Sequence, residues 1–230
     1  MIAAIAAQSG PVEPLIRWRW VGHHLDDLRE RALEHLWLTV AALLIGVAIA
    51  SLLASVMRRW RWTAGPLTAA TTILYTIPSI ALFAALLPLL GVGYAVPIIA
   101  LSTYSLVVLT PFLLAAFDDL DPSTLEAATA MGMTPVQRWR RVDLPLAMPT
   151  IVAGLRVTTV TIVGLVTVGG LFGLGGFGDF IDDGLSRDFS TPIVLGVVGS
   201  VVIALVADLM WVVLGRAVAP WQRDRDRRSP

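Results

Sequence analysis

Residues 62–117 read WTAGPLTAATTILYTIPSIALFAALLPLLGVGYAVPIIALSTYSLVVLTPFLLAAF, and none of these positions holds Asp, Glu, Lys or Arg. A helix that crosses a bilayer needs about 20 consecutive apolar residues. The run is therefore long enough for two spans, and Gly91, Gly93 and Pro97 punctuate it where a turn would fall. We read the spans as Leu67–Leu90 and Val96–Phe117. A buried soluble core does not leave so long a stretch without a charge.

Outward from that run, the rest of the chain has the same character. Of its 230 residues, 56% are hydrophobic and only 15% charged, against about 25% charged in a soluble domain. Further apolar runs predict spans at Leu36–Met57, Pro149–Leu174 and Pro192–Gly215. The expected fold is all-α, a polytopic transmembrane bundle of about five spans. It divides into an N-terminal segment 1–35, a membrane domain 36–217 containing a long loop 118–148, and a charged tail 218–230.

Basic residues orient the spans. Arg58, Arg59 and Arg61 follow the first, Arg138, Arg140 and Arg141 lie between the third and fourth, and Arg216, Arg223, Arg225, Arg227 and Arg228 follow the fifth. The positive-inside rule puts all three groups in the cytoplasm, with the C-terminus inside and the N-terminus outside. The outer side then receives the turn near Gly91 and the acidic loop Gly175–Thr191. Arg17, Arg19, Arg29 and Arg31 run against this pattern, offset in part by Asp26, Asp27, Glu30 and Glu34. Leu25, Leu28, Ala32 and Leu36 recur at helical spacing, which predicts an amphipathic helix on the outer surface, with Trp18, Trp20 and Trp37 at the interface. Met1–Ala7 lacks the basic flank of a signal peptide.

Several function classes are excluded. With no cysteine there are no disulfides or thiolate metal sites. A formal net charge of zero gives no case for nucleic acid. His23, His24 and His35 all precede the first span, so no Ser–His pair can form within the membrane. His23 and His24 beside Asp26 and Asp27 read as a wetted helix rather than a metal site. No catalytic, cofactor or metal site is expected. The chain contains no Lys, so it cannot carry the phosphate loop GxxxxGK[ST] of an ATPase.

Small residues mark helix contacts in lipid: Ala42, Gly46, Ala50 and Ala54 in the first span, Gly196, Ser200 and Ala204 in the fifth. Asp208 continues the second row. It reads as an interhelical hydrogen bond, or as a functional group. Arg156 can snorkel or contact the loop. Gly164, Gly169, Gly170 and Gly173 favour close packing in the fourth span. Pro78 should kink the second span, either as a gate or as a packing feature. Tyr75, Phe83, Tyr94 and Tyr104 offer ring faces to a passing cation.

The stretch Asp118–Thr150 is long for a connection and has clear helix ends. Asp121 caps a helix with Pro122 at its first position, and Gly132 supplies the left-handed exit. Thr134-Pro135-Val136-Gln137 reads as a capping box that starts a second helix, which should end near Val142, before Pro145.

Glu126-Ala127-Ala128, then Gly132, then Val142-Asp143-Leu144-Pro145 is similar in full spacing to the signature loop of ABC importer permeases of type I, with Val142 where Ile is commoner. Tyr75–Phe83, Ala130–Pro135 and Gly173–Gly178 resemble segments of the osmoprotectant permeases, which carry glycine betaine, choline or carnitine. The resemblance covers about Leu36–Arg216. It implies that the loop docks on a separate ATPase through Glu126, Ala127, Ala128, Gly132, Arg138, Leu144 and Pro145. Arg138, Arg140 and Arg141 would meet acidic groups on that ATPase, or lipid phosphates. It also implies an extracytoplasmic solute-binding protein, a second permease subunit, identical or paralogous, and a path near Tyr75, Pro78 and Phe83. A permease for another small solute such as an amino acid, a passive channel and an intramembrane enzyme are the rival readings.

Overall fold

In a computed structural model, residues 14–220 are described; Met1–Ala7 and the tail arginines Arg223–Arg228 lie outside the described residues. A short helix α1 (Trp18–His23) precedes the long α2 (Leu25–Arg59). Next come α3 (Ala64–Thr76), α4 (Ser79–Leu90) and α5 (Ala95–Asp118). The loop contributes α6 (Pro122–Ala130) and α7 (Pro135–Arg138). The chain ends in α8 (Leu144–Gly170), α9 (Gly178–Ser186) and α10 (Ser190–Val218). Four helical stretches are long and apolar enough to cross a membrane, and the bent pair formed by α3 and α4 makes up to five.

Close helix packing builds the bundle, with α5 and α8 at its centre. Ala42, Gly46, Ala50 and Ala54 are all buried along α2. Gly46 sits where a β-carbon would overlap the Ser105 side chain of α5, so only a bare backbone allows this approach. Two apolar clusters fill the interior. One gathers Leu38, Phe83, Leu101, Ile162 and Val166 toward the end opposite the 118–148 loop, and the other gathers Ala50, Ala54, Leu109 and Leu113 nearer to it.

The structure corrects four expectations. The helix that carries the first span does not begin at Leu36: α2 runs unbroken from Leu25, so the charged Leu25–His35 continues that helix rather than forming a separate surface helix. That extension packs beside α9, and α1 docks through Trp20, which stacks on His24 and meets Phe180 and Phe189 edge-on. The second span is not one kinked helix. Its halves α3 and α4 meet at 90°, because Ile77 and Pro78 are both extended (ψ 121° and 136°). Proline removes a helix donor and pushes its predecessor out of the helical region. The carbonyl of Ile77 accepts a 2.5 Å hydrogen bond from the Tyr104 hydroxyl of α5.

Third, the helix that starts at Pro135 does not stop before Pro145. A π-helical turn, Trp139–Asp143, joins α7 to α8, giving one helical run from Pro135 to Gly170. Pro145 stands in the first turn of α8, where the wider turn absorbs its missing donor. Fourth, the acidic segment after Gly175 is not simply a loop. It contains α9, which rests against α10 where Gly184 and Gly196 leave no space for a β-carbon.

Candidate functional site

The site is the 118–148 loop. Asp118, at the end of α5, is held by Arg61 at 2.7 Å and by Arg58 at 3.7 Å, and the Arg58 guanidinium covers the Phe117 ring at 4.5 Å. These pairs tie the loop's start to the end of α2.

From there the chain leaves α5 and re-enters helix at Pro122. The Asp121 carboxylate accepts from the Ser123 N–H (2.9 Å) and hydroxyl (2.8 Å). The Ser123 contacts hold this carboxyl below its ordinary value. Helix α6 closes with two reciprocal backbone bonds, Met133 N–H to the Ala128 carbonyl and Gly132 N–H to that of Thr129. This is the Schellman arrangement, and it requires the positive φ of 78° that Gly132 adopts. Thr134 then caps α7: its hydroxyl accepts from the Gln137 N–H (3.3 Å), and the Gln137 side chain accepts from the Thr134 N–H (2.9 Å).

The resulting hairpin of short helices is braced from within. Arg138 lies 3.4 Å from Asp143 across the π-helical turn and 3.4 Å from the Thr129 hydroxyl of α6. Arg138 thus braces the loop while its side chain remains 36% exposed, and Arg140 and Arg141 are exposed. Glu126, Ala127 and Gly132 are exposed, Ala128 is buried under the hairpin, and Leu144 and Pro145 are half-buried where the run enters α8. Leu125, Glu126, Thr129, Ala130 and Arg138 line a shallow hollow of about 420 Å³. The tip presents Met131 and Val136, 70% and 66% exposed. Sequence reading did not single these two out, because their shared place at the tip depends on how the hairpin folds.

The rest of the expected residues are elsewhere. Tyr75 and Pro78 stand exposed at the break between α3 and α4, and Tyr75 meets the Tyr104 ring edge-on at 6.3 Å. Phe83 is fully buried in the core beside Phe172, so it presents no ring face to a path.

A second constellation lies at the opposite end. Arg31 bridges Glu34 (2.8 Å) and Asp179 (2.7 Å). Glu34 accepts from the Gly176 N–H (2.9 Å) and from the Tyr94 hydroxyl (3.1 Å). Buried His35 receives the Phe177 N–H on Nδ1 (3.3 Å), which leaves Nε2–H to donate to the Val163 carbonyl (3.1 Å). Together they pin the glycine-rich segment 173–178. Burial pushes the Asp179 carboxyl up, with Arg31 opposing. Glu34 is held below its ordinary value although burial works the other way, because the Gly176 N–H and Arg31 favour its charged form. His23 and His24 turn their Nδ1 atoms to backbone carbonyls of α1.

Residues 42–220 match the model of the binding-protein-dependent transport system inner membrane component. The chain belongs to that family. This permease is 34% identical over 84% of its length to the choline transport system permease protein OpuBB of Bacillus subtilis, covering 89% of that protein. It is 33% identical to the osmoprotectant import permease protein OsmW of Salmonella typhimurium, over 81% of this chain and 91% of that one. Its fold is that of type I ABC importer permeases. The inward-facing methionine ABC transporter MetNI superposes with a TM-score of 0.71 at 23% identity, over 87% of this permease and 97% of that chain.

Proposed function

We propose that this chain is the membrane-spanning permease subunit of an ABC importer for quaternary ammonium osmoprotectants such as choline, glycine betaine or carnitine. The observation that carries the proposal is the extent of its likeness to permeases named for those solutes, at 31–34% identity across most of the chain. The capped hairpin at 118–148 supports the coupling role. It is stiff, its tip is exposed, and it continues without a break into α8.

In this reading the hairpin faces the cytoplasm and the N-terminus lies outside. A separate ATPase seats on Glu126, Ala127 and the Met131–Val136 tip. Pressure there travels along the Pro135–Gly170 run into the bundle, and rocking of two facing subunits gives alternating access. A separate receptor delivers solute to the opposite end. Tyr75 and Pro78 border the path, and a second subunit, identical or paralogous, completes it. The chain itself performs no hydrolysis, since it has no Lys for a phosphate loop.

The test is uptake of labelled choline and glycine betaine by proteoliposomes holding the permease with its ATPase and receptor. ATP-dependent uptake of either solute is expected. Transport of an amino acid with neither of these would overturn the solute class, and flux indifferent to nucleotide would mean a channel.

A further inference from the structure

Arg156 of α8 and Asp208 of α10 form a fork-to-carboxylate pair: Nε–H donates to one carboxylate oxygen and Nη2–H donates to the other at 2.8 Å. Counting about 1.5 Å per residue from the expected span ends Pro149 and Gly215, Arg156 and Asp208 each lie about 10 Å inside their spans, within hydrocarbon depth. Yet the two side chains are 48% and 30% exposed.

Hydrocarbon is a poor neighbour for such a pair. Around it, two surfaces differ. The outer face of α10 is a continuous sheet of Leu205, Val206, Leu209, Met210 and Val213, suited to lipid. The exposed stripe of α8 runs Ala153, Arg156, Val157, Val160 and Gly164, smaller and carrying the guanidinium. One turn beyond Asp208, the Trp211 indole closes the seam by donating to the Thr159 hydroxyl at 2.9 Å. The pair thus borders the α8 stripe at a helix junction that Trp211 closes, a setting that suits water or a polar solute better than an acyl chain.

A guanidinium has five N–H donors, and Asp208 takes two. The remaining donors are not used by Asp208, and a guanidinium's complement is a carboxylate. Asp208 beside them offers negative charge to a cation a few ångströms away. We propose that Arg156 and Asp208 form a station on the solute path that reads zwitterions, the guanidinium meeting a carboxylate and Asp208 the quaternary nitrogen. This rests on the importer reading above and refines it. The permease favours carboxylate-bearing quaternary ammonium solutes over cations that lack the carboxylate.

The experiment is the ratio of glycine betaine to choline uptake by the reconstituted complex, with the same receptor throughout so that its preference cancels. Two paired variants keep the contact and so protect the fold: the neutral pair Arg156→Gln with Asp208→Asn, and the swap Arg156→Asp with Asp208→Arg. The ratio should fall about tenfold or more in both, the size expected for losing a charge-assisted pair. A ratio equal to wild type in either means that the pair is only a clasp between α8 and α10, and the proposal fails; if one variant does not assemble, the other decides. A wild type that carries choline but not glycine betaine also overturns it, while leaving the importer reading intact. Uptake of neither solute overturns both.

Discussion

Gly132 allows the proposed coupling role of the hairpin to be tested by strain alone. Its φ of 78° closes the Schellman turn, and a β-carbon placed there would find nothing within 4 Å. A substitution therefore clashes with no neighbour, and its whole cost is the left-handed backbone, about 1–2 kcal/mol for an L-residue. That is a factor of about 5–30 in the population of the correctly folded turn. Asn tolerates this region better than Ala, and a β-branched residue tolerates it least. The expected order of solute-stimulated ATP hydrolysis in the assembled complex is Gly132, then Gly132→Asn, Gly132→Ala and Gly132→Val. Gly91→Ala is the control. It also forces an L-residue to positive φ, at φ 75° and ψ 177° where a β-carbon is tolerated even less than in the left-handed region, with equally open surroundings, but at the opposite end of the bundle, and should leave ATPase co-purification intact. Full coupling in Gly132→Val, or Asn no better than Val, would refute the claim that the turn's geometry carries docking.

Glu126→Arg should leave the chain inserted in the membrane but reduce the ATPase that co-purifies with it, and undiminished co-purification and uptake would remove Glu126 from the contact. Tyr104→Phe leaves the partly buried Ile77 carbonyl at the helix break without its donor, a loss of about 1 kcal/mol for a typical hydrogen bond that a thermal melt in detergent should register. The Glu34 carboxyl is held below its ordinary value of 4.5, so its contribution is present at neutral pH and is lost as pH falls through the depressed folded value. The stability gap between wild type and Glu34→Gln should accordingly narrow below pH 4.5, and a gap that widens there would contradict the assignment.

Features written in local sequence were legible. The uncharged run, the small-residue row on α2, the Asp121 cap, the capping box at Thr134 and the exit at Gly132 depend on neighbours a few residues away, and the structure contains each. What escaped depends on partners far along the chain. Pro78 signals a bend, but the donor that receives the carbonyl freed at the break, Tyr104, is more than a helix away in sequence. The continuity of Leu25–Arg59 is fixed by the glycine-rich segment that Glu34 and His35 grip. Helix α9 is short and rich in Asp and Gly, so it lacks a span's hydropathy, and packing on α10, α8, α1 and the start of α2 stabilises it. Of the expected site residues, Phe83 turned inward because its ring found the core, and Arg138 also braces the loop against Asp143.

The measurement that tests the central claim most directly uses the absence of cysteine from this chain. Met131→Cys at the hairpin tip and Val92→Cys at the opposite end each provide one thiol on an exposed position. Intact cells are treated with a membrane-impermeant maleimide. The account predicts that Val92→Cys is labelled, and that Met131→Cys reacts only once the cells are opened and then only where the ATPase is absent. Labelling of Met131→Cys in sealed cells would place the hairpin on the wrong side of the membrane for any cytoplasmic motor.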